Sequence, residues 1–378
     1  MQFERDFLEK KDFLEFQLYV QLEAHQFKNV SIKQLNDELG WKYQSAYRTF
    51  NDLVDDIGQM THRVRNTVKT QLKKSGRALV TQEELRSHLL RRSLIYRLLD
   101  YLVKTPNPQI HRFCEMNFVS VSTTTRRVRQ LNVLLKQFDI RLRMQPLALV
   151  GDELHCRFFL FMLYWQAQHE YFWPFEEAPT STEDLQTQMF EKISHLRRGQ
   201  RRPITPNRRL EVFGDKAMRM GFAPQHRFKS GPFWESSAFA FFQMSRVQLD
   251  QPVGTFQDRL AIELVLSTPE TYQITEPLRE LCLRDARLEW TDELDLDVFR
   301  ILSNYAIMGS AVGQSELYFS DVQPDPELMV SLTRLLEELP RTPNFMLFHR
   351  RPQPVVQLLA TRIAMASDTL CLEARKAE

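Results

Sequence analysis

Ser122, Thr125, Arg126, Arg129 and Gln130 are the residues of this 378-residue chain whose types and spacing best fit a chemical task. On a helix they share one face, which then carries short hydroxyls, guanidinium forks and an amide. Such groups can donate to and accept from base edges in a major groove, and guanidiniums also pair with phosphates. Arg127 lies beside the apolar row of the same helix, so its reach is expected to extend to phosphate only. That row is Thr124, Val128, Leu131 and Leu135, at i, i+4, i+7 and i+11. Ser120 precedes the helix and is a good N-cap, because its hydroxyl can accept from a free N–H of the first turn.

A reading helix must be held by a scaffold, and the flanking sequence predicts one over Asn107 to Gly151. Pro108, capped by Asn107, suits the first position of a helix through Ile110 and Phe113 to Met116. A turn then leads into Ser120. Downstream, Ile140-Arg141-Leu142-Arg143-Met144 alternates apolar and basic as a half-exposed strand does. Gln145-Pro146 turns the chain and Leu147-Ala148-Leu149-Val150 returns. This pair reads as a wing, with Arg141 and Arg143 on one face where they could meet phosphate. Gly151-Asp152-Glu153 opens a further helix through Trp165.

A second unit of the same kind is predicted upstream. Residues 3–26 read as one amphipathic helix. Ser31 can cap a helix over Ile32 to Leu39, and Gly40 ends it. The next helix, from about Tyr43 to Ile57, has the stripe Ala46, Phe50, Leu53 and Ile57, which repeats the later stripe at an offset of 78 residues. Ser45 and Arg48 match Thr123 and Arg126 at the same offset. Its exposed face offers Tyr43, Gln44, Tyr47 and Arg48, which suit DNA backbone or a partner protein as readily as bases. Residues 61–77 are basic with β-branched residues, and the expectation is a short wing hairpin turning near Ser75-Gly76. Thr81-Gln82-Glu83-Glu84 has a capping-box pattern and starts a long helix to about Val103.

Charge divides the chain. Residues 1–168 hold 26 Lys and Arg against 18 Asp and Glu, an excess of +8, and the remainder holds 24 against 30, an excess of −6. The basic part can approach a polyanion, and the acidic part would not. Four scattered cysteines without a CxxC pair fit a reducing cytosol rather than a disulfide or zinc framework. The N-terminus lacks the apolar core of a signal peptide, and no apolar run approaches the ~20 residues of a membrane span. A cytoplasmic protein is the expectation. No Walker loop, GxGxxG, GxSxG or HExxH is present, and no histidines stand at metal-ligand spacing, so neither an enzyme nor a cofactor or metal is expected.

The residues Phe118-Val119-Ser120, Leu131-Asn132-Val133-Leu134-Leu135-Lys136, Leu149-Val150-Gly151-Asp152-Glu153, Arg157-Phe158-Phe159, Tyr164-Trp165 and Trp173-Pro174-Phe175 together resemble the Mga-type transcription regulators of Gram-positive bacteria, a family that includes virulence regulators. The resemblance is strong over about 80–175, extends plausibly over 1–60 and is loose afterwards. It implies two winged helix-turn-helix domains, at 1–78 and 79–173, followed by two helical-bundle regulatory domains, at 174–283 and 284–378. The regulatory domains would resemble those phosphorylated on histidine by the sugar phosphotransferase system, with its phosphocarrier protein as partner. A terminal enzyme-IIB-like domain is expected to be missing, because no βαβ pattern follows. In that region helices are predicted at Leu185–Leu196, Leu210–Met220, Ser236–Val247, Phe256–Leu266 and near Val355–Met365. His195, His226 and His349 are the candidate phosphohistidines, each weighed against an ordinary surface histidine. The island Arg197-Arg198-Gly199-Gln200-Arg201-Arg202, with Arg208-Arg209, reads either as a solvated loop or as a phosphate-binding patch.

The sequence therefore predicts a mainly α protein that binds double-stranded DNA as a transcription regulator, an activator by its resemblance. It would form a homodimer or higher oligomer, with RNA polymerase a further partner. The alternative is a sensor or interaction module whose helix-turn-helix units mediate dimerisation. A phosphohistidine carrier is a remote third.

Overall fold

The computed structural model describes residues 2–28, 30–167, 173–179, 185–219, 233–245, 268–284, 290–314, 317, 319–320 and 322–377. It is mainly α-helical, and its sheet among the described residues is one two-stranded hairpin. The chain forms two compact units, residues 1–131 with 162–180, and residues 132–161 with 181–378.

The first unit begins with α1 (Gln2–Phe7) and α2 (Lys10–Ala24). The single helix expected over 3–26 is broken at Leu8-Glu9, where Glu9 is extended. The break lets the consecutive residues Phe7 and Leu8 both turn inward, to 0% and 2% exposure. In α3 (Ile32–Leu39) the Ser31 hydroxyl accepts from the Gln34 N–H, and Gly40 ends the helix in the left-handed conformation. α4 (Tyr43–Thr61) buries Ala46, Phe50, Leu53 and Ile57 completely.

The expected wing of this first unit is absent. Residues 65–74 form a helix instead, α5 (Arg65–Lys74). Val68 and Leu72 are both fully buried, and four-residue spacing brings them to one side of a helix. In a strand that spacing would not compete with helix packing here, because Thr67, Lys69 and Thr70 leave no apolar alternation. The β-branched signal at 64–68 is overridden by that packing.

α6 (Gln82–Arg92) starts with the complete capping box between Thr81 and Glu84. The long helix predicted to Val103 stops at Ser93, which is extended and caps α7 (Leu94–Lys104) by accepting from the Tyr96 N–H at 3.1 Å. α2 packs on both α4 and α6, and α3 packs on α4. Between α2, α4 and α6, Arg92 gathers Asp12, Asp56 and Glu15 at 2.7, 2.7 and 3.4 Å. α8 (Ile110–Met116) begins after an extended Gln109 rather than at Pro108. The reason is local: the Gln109 N–H donates to the Tyr101 hydroxyl and so stays outside the helix. α9 (Val121–Leu135) follows. Phe175 packs against Tyr164 and Trp173.

The second unit takes up the end of α9, a 3-10 turn at Lys136–Phe138, then β1 (Ile140–Met144) and β2 (Leu147–Gly151). The strands are antiparallel, with Arg141 opposite Val150 and Leu142 opposite Leu149. There follow α10 (Glu153–Ala167), which belongs to this unit up to Phe161, α11 (Leu185–Gly199), α12 (Arg208–Arg219), α13 (Phe233–Ser245), α14 (Tyr272–Leu283), α15 (Asp292–Met308), α16 (Pro326–Glu338), α17 (Met346–Arg350) and α18 (Pro352–Ala377). The predicted helix over Phe256–Leu266 lies outside the described residues.

One core of this unit joins α14 to α18 through Leu278, Leu302, Tyr305, Leu332, Phe348 and Leu359. Another is aromatic, with Phe190 and Phe242 stacked at 4.0 Å. Beside it lies a charge network. Arg157 pairs with Glu235 at 2.5 Å, and Arg197 pairs with Glu153 at 2.7 Å. Arg157 also reaches Glu153 at 3.1 Å, and both arginines are at most 2% exposed. The basic island is thus corrected in part: Arg197 is a core residue on α11, and the Arg202 carbonyl accepts from Arg157.

Candidate nucleic-acid interface

The turn before α9 is fixed by its own backbone. The N–H groups of Asn117, Phe118 and Val119 donate to the carbonyls of Phe113, Glu115 and Cys114. Phe118 takes φ 53° and leaves its ring 97% exposed. Ser120 then caps α9 as its sequence predicts, accepting from the Thr123 N–H at 3.1 Å. Its hydroxyl also meets those of Ser122 and Thr123, each at 2.9 Å. Thr124 is buried and returns its hydroxyl to the Ser120 carbonyl, so it belongs to the core row with Val128 and Leu131.

On the other side of α9, Ser122, Arg126, Arg129 and Gln130 are exposed. Thr125 is half-buried and its hydroxyl donates to the Val121 carbonyl at 2.8 Å, which leaves the oxygen lone pairs as its outward function. Arg127 is drawn inward. Its guanidinium donates to the Leu8 carbonyl at 3.1 Å and to the Gln130 side chain at 3.0 Å, and lies 3.4 Å from Glu9. The contacts with Leu8 and Glu9 turn part of its guanidinium toward the start of the chain, while the bond to Gln130 stays within α9.

The hairpin presents Arg141 and Arg143 on its exposed face while Leu142 is 2% exposed. Its turn contains a cis Gln145–Pro146 peptide. Two devices fix its root. The amide of Asn132 donates to the Leu142 carbonyl at 3.0 Å and accepts from the Leu142 N–H at 2.7 Å. Gly151 ends β2 at φ 147°, and any Cβ there would stand 2.5 Å from the Asp139 carbonyl. A larger residue is therefore excluded on both conformation and space.

The buried His155 places its two ring nitrogens 3.1 Å from the Phe138 carbonyl and 2.7 Å from the Met308 carbonyl, so α15 is joined to the 3-10 turn that leads into the hairpin. Asp139 is neutralised by Arg351. Among the described residues this leaves Lys136 and Arg141 as the charges without a paired carboxylate that line a concavity of about 600 Å³ beside β1. Sequence reasoning missed Lys136. The signal that finds it is a basic side chain seven residues after Arg129, at the start of the 3-10 turn that follows α9.

In the first unit, α4 exposes Gln44 and Arg48 together with Tyr43 and Tyr47, whose rings stack at 6.3 Å. Of the histidine candidates, His195 is exposed on α11. His349 is half-buried, with Nε2 3.4 Å from the Pro340 carbonyl. His226 lies outside the described residues. Among the described residues no set of His, Cys, Asp and Glu is grouped to hold a metal ion, and no helix is long and apolar enough to cross a membrane.

Comparison with known proteins finds a Mga helix-turn-helix domain at residues 80–164, which covers the turn, α9, the hairpin and most of α10. Over 96 residues the chain is 29% identical to the capsule synthesis positive regulator AcpB of Bacillus anthracis. That match takes in 25% of this chain and spans 20% of the length of AcpB.

Proposed function

We propose that this chain, of the Mga type through its helix-turn-helix domain at residues 80–164, is a transcription regulator that acts by binding double-stranded DNA. The observation that carries the reading is the exposed face Ser122, Arg126 and Arg129 on a capped helix whose other face is anchored. α9 enters a major groove with its hydroxyl-rich first turn leading, and Arg141 and Arg143 of the hairpin serve as phosphate contacts. Activation rather than repression is favoured by the similarity to AcpB, a positive regulator of capsule synthesis. The protein then works in the cytoplasm as a dimer or higher oligomer, and RNA polymerase is its natural partner at a promoter.

The test is footprinting on the region upstream of its own gene, with and without competitor DNA. A discrete protected segment that survives non-specific competitor is expected. Protection that is absent, or that competitor removes uniformly, overturns the reading.

The second reading, a module whose helix-turn-helix units bind protein, is favoured by the exposure of Met116 at 60% and Phe118 at 97%. Salt separates the two, because counterion release makes DNA binding fall steeply with ionic strength.

Control by histidine phosphorylation would act through His195, the one candidate exposed among the described residues. Phosphocarrier protein charged by phosphoenolpyruvate and enzyme I should then label it, and a His195→Ala chain that labels equally rules it out.

A further inference from the structure

The helix that replaces the expected first wing has a charge that its fold does not use. Between Asp56 and Glu83 the chain has no carboxylate, yet it carries Arg63, Arg65, Lys69, Lys73, Lys74 and Arg77. Three of these serve the fold, Arg63 by donating to the Gln71 side chain at 2.9 Å. Arg65 pairs with Asp55 at 2.8 Å, and Lys73 lies over the Phe50 ring at 4.9 Å. Lys69, Lys74 and Arg77 pair with no carboxylate among the described residues, and Lys74 and Arg77 are exposed. Burial, then the like charges of Lys69 and Lys74, lower the Lys73 ammonium from its ordinary value. A polyanion would relieve that crowding.

The helix is also arranged to offer the charge. Val68 and Leu72 face the core, and the other side carries Asn66, Lys69, Thr70, Lys73 and Lys74 at helical spacing. Short polar groups between lysines are the composition that contacts phosphate and sugar without reading bases. At 10 residues α5 is about 15 Å long, the length of roughly four base pairs of duplex.

We propose that α5, with Arg77, is a second duplex-binding surface that grips the DNA sugar-phosphate backbone from the first unit. It follows α4 in the chain as the hairpin follows α9, and it supplies with a helix the backbone contact that the hairpin supplies with strands. The inference rests on the DNA-binding reading and adds a surface outside the matched domain.

The experiment compares the full chain with a Lys69→Gln, Lys74→Gln, Arg77→Gln variant and with Arg126→Ala. The probes are a duplex selected from a random pool by the wild-type chain and a scrambled duplex, each titrated in chloride salt. Each lost phosphate contact lowers the slope of log Kobs against log salt by about 0.9. The triple variant should therefore lose about 2 to 3 from the slope, weaken on both duplexes alike and keep its preference between them. Arg126→Ala should instead lose the preference. A triple variant that keeps the wild-type slope while Arg126→Ala loses its preference overturns the α5 surface and leaves the DNA reading standing. A wild-type chain that binds neither duplex overturns both. If inorganic phosphate at matched ionic strength competes at α5 in the wild type alone, the surface belongs to free phosphate. If the triple variant changes only self-association by sedimentation, it belongs to a second copy.

Discussion

Asn132 and Leu142 exchange two hydrogen bonds, the side-chain amide of one standing in for a strand partner of the other. The amide fills a place on β1 that no third strand occupies among the described residues, and it fixes the hairpin to the last turn of α9. An alanine there removes both bonds, at roughly 1 kcal/mol each. Asn132→Ala should keep the helical fold, speed hydrogen exchange over residues 140–151 and lower the salt slope of DNA binding by about 1 to 2 as Arg141 and Arg143 lose their phosphates. Unchanged exchange in the hairpin would show that the clamp is not what holds it.

Arg126 and Arg127 are adjacent and face different tasks. Arg126→Ala should weaken binding to the preferred duplex by about 1–3 kcal/mol and relax its sequence preference, as loss of a base contact does. Arg127→Ala should leave that preference intact and lower the melting temperature, because the bonds to Leu8 and Glu9 are lost. Gel shifts on two duplexes with a thermal melt distinguish them, and the assignment fails if the two variants exchange these effects.

Glu15 is fully buried among Asp56, Asp12, Arg92 and Lys11, with His88 and Asp52 nearby. Burial, then the neighbouring Asp56 carboxyl, pushes its own carboxyl up to about 9 from an ordinary 4.5. The folded chain therefore holds a proton that the unfolded chain releases, and stability contributed by that proton falls as pH rises from about 4.5 to about 9. Glu15→Gln carries the neutral form permanently. Its melting temperature should decline less than that of the wild type across this window, and parallel curves for the two chains would sink the assignment.

The Arg197–Glu153 pair is buried with Arg157 and Glu235, two cations against two anions. Removing one member leaves an uncompensated charge, which typically costs about 3–5 kcal/mol. Arg197→Met should thus destabilise the second unit strongly in denaturant titrations. The double variant Arg197→Met, Glu153→Met should recover part of the loss. A single variant within 1 kcal/mol of wild type, on the order of an exposed pair, would mean that the network is not as closed as its geometry.

The sequence by itself determined the elements whose signals are local. Ser120, Ser31 and the Thr81–Glu84 box cap the helices they were expected to cap, because capping needs only a side chain and an N–H two or three residues away. The alternation of Arg141, Leu142 and Arg143 likewise sets one strand face against the other, and the stripe at Ala46, Phe50, Leu53 and Ile57 selects a buried helical face. Tertiary structure decided what depends on partners far along the chain. It turned residues 65–74 into a helix because Val68 and Leu72 had a core to enter. It broke helices at Leu8-Glu9 and Ser93, and withdrew Arg127 through a carbonyl 119 residues away. It took Arg197 out of a basic island because Glu153 was waiting inside, and it paired Asp139 with Arg351 rather than with the exposed Lys136. Periodicity shows which side of a helix is apolar, but whether a charged group faces solvent or a buried counter-charge depends on the element packed against it.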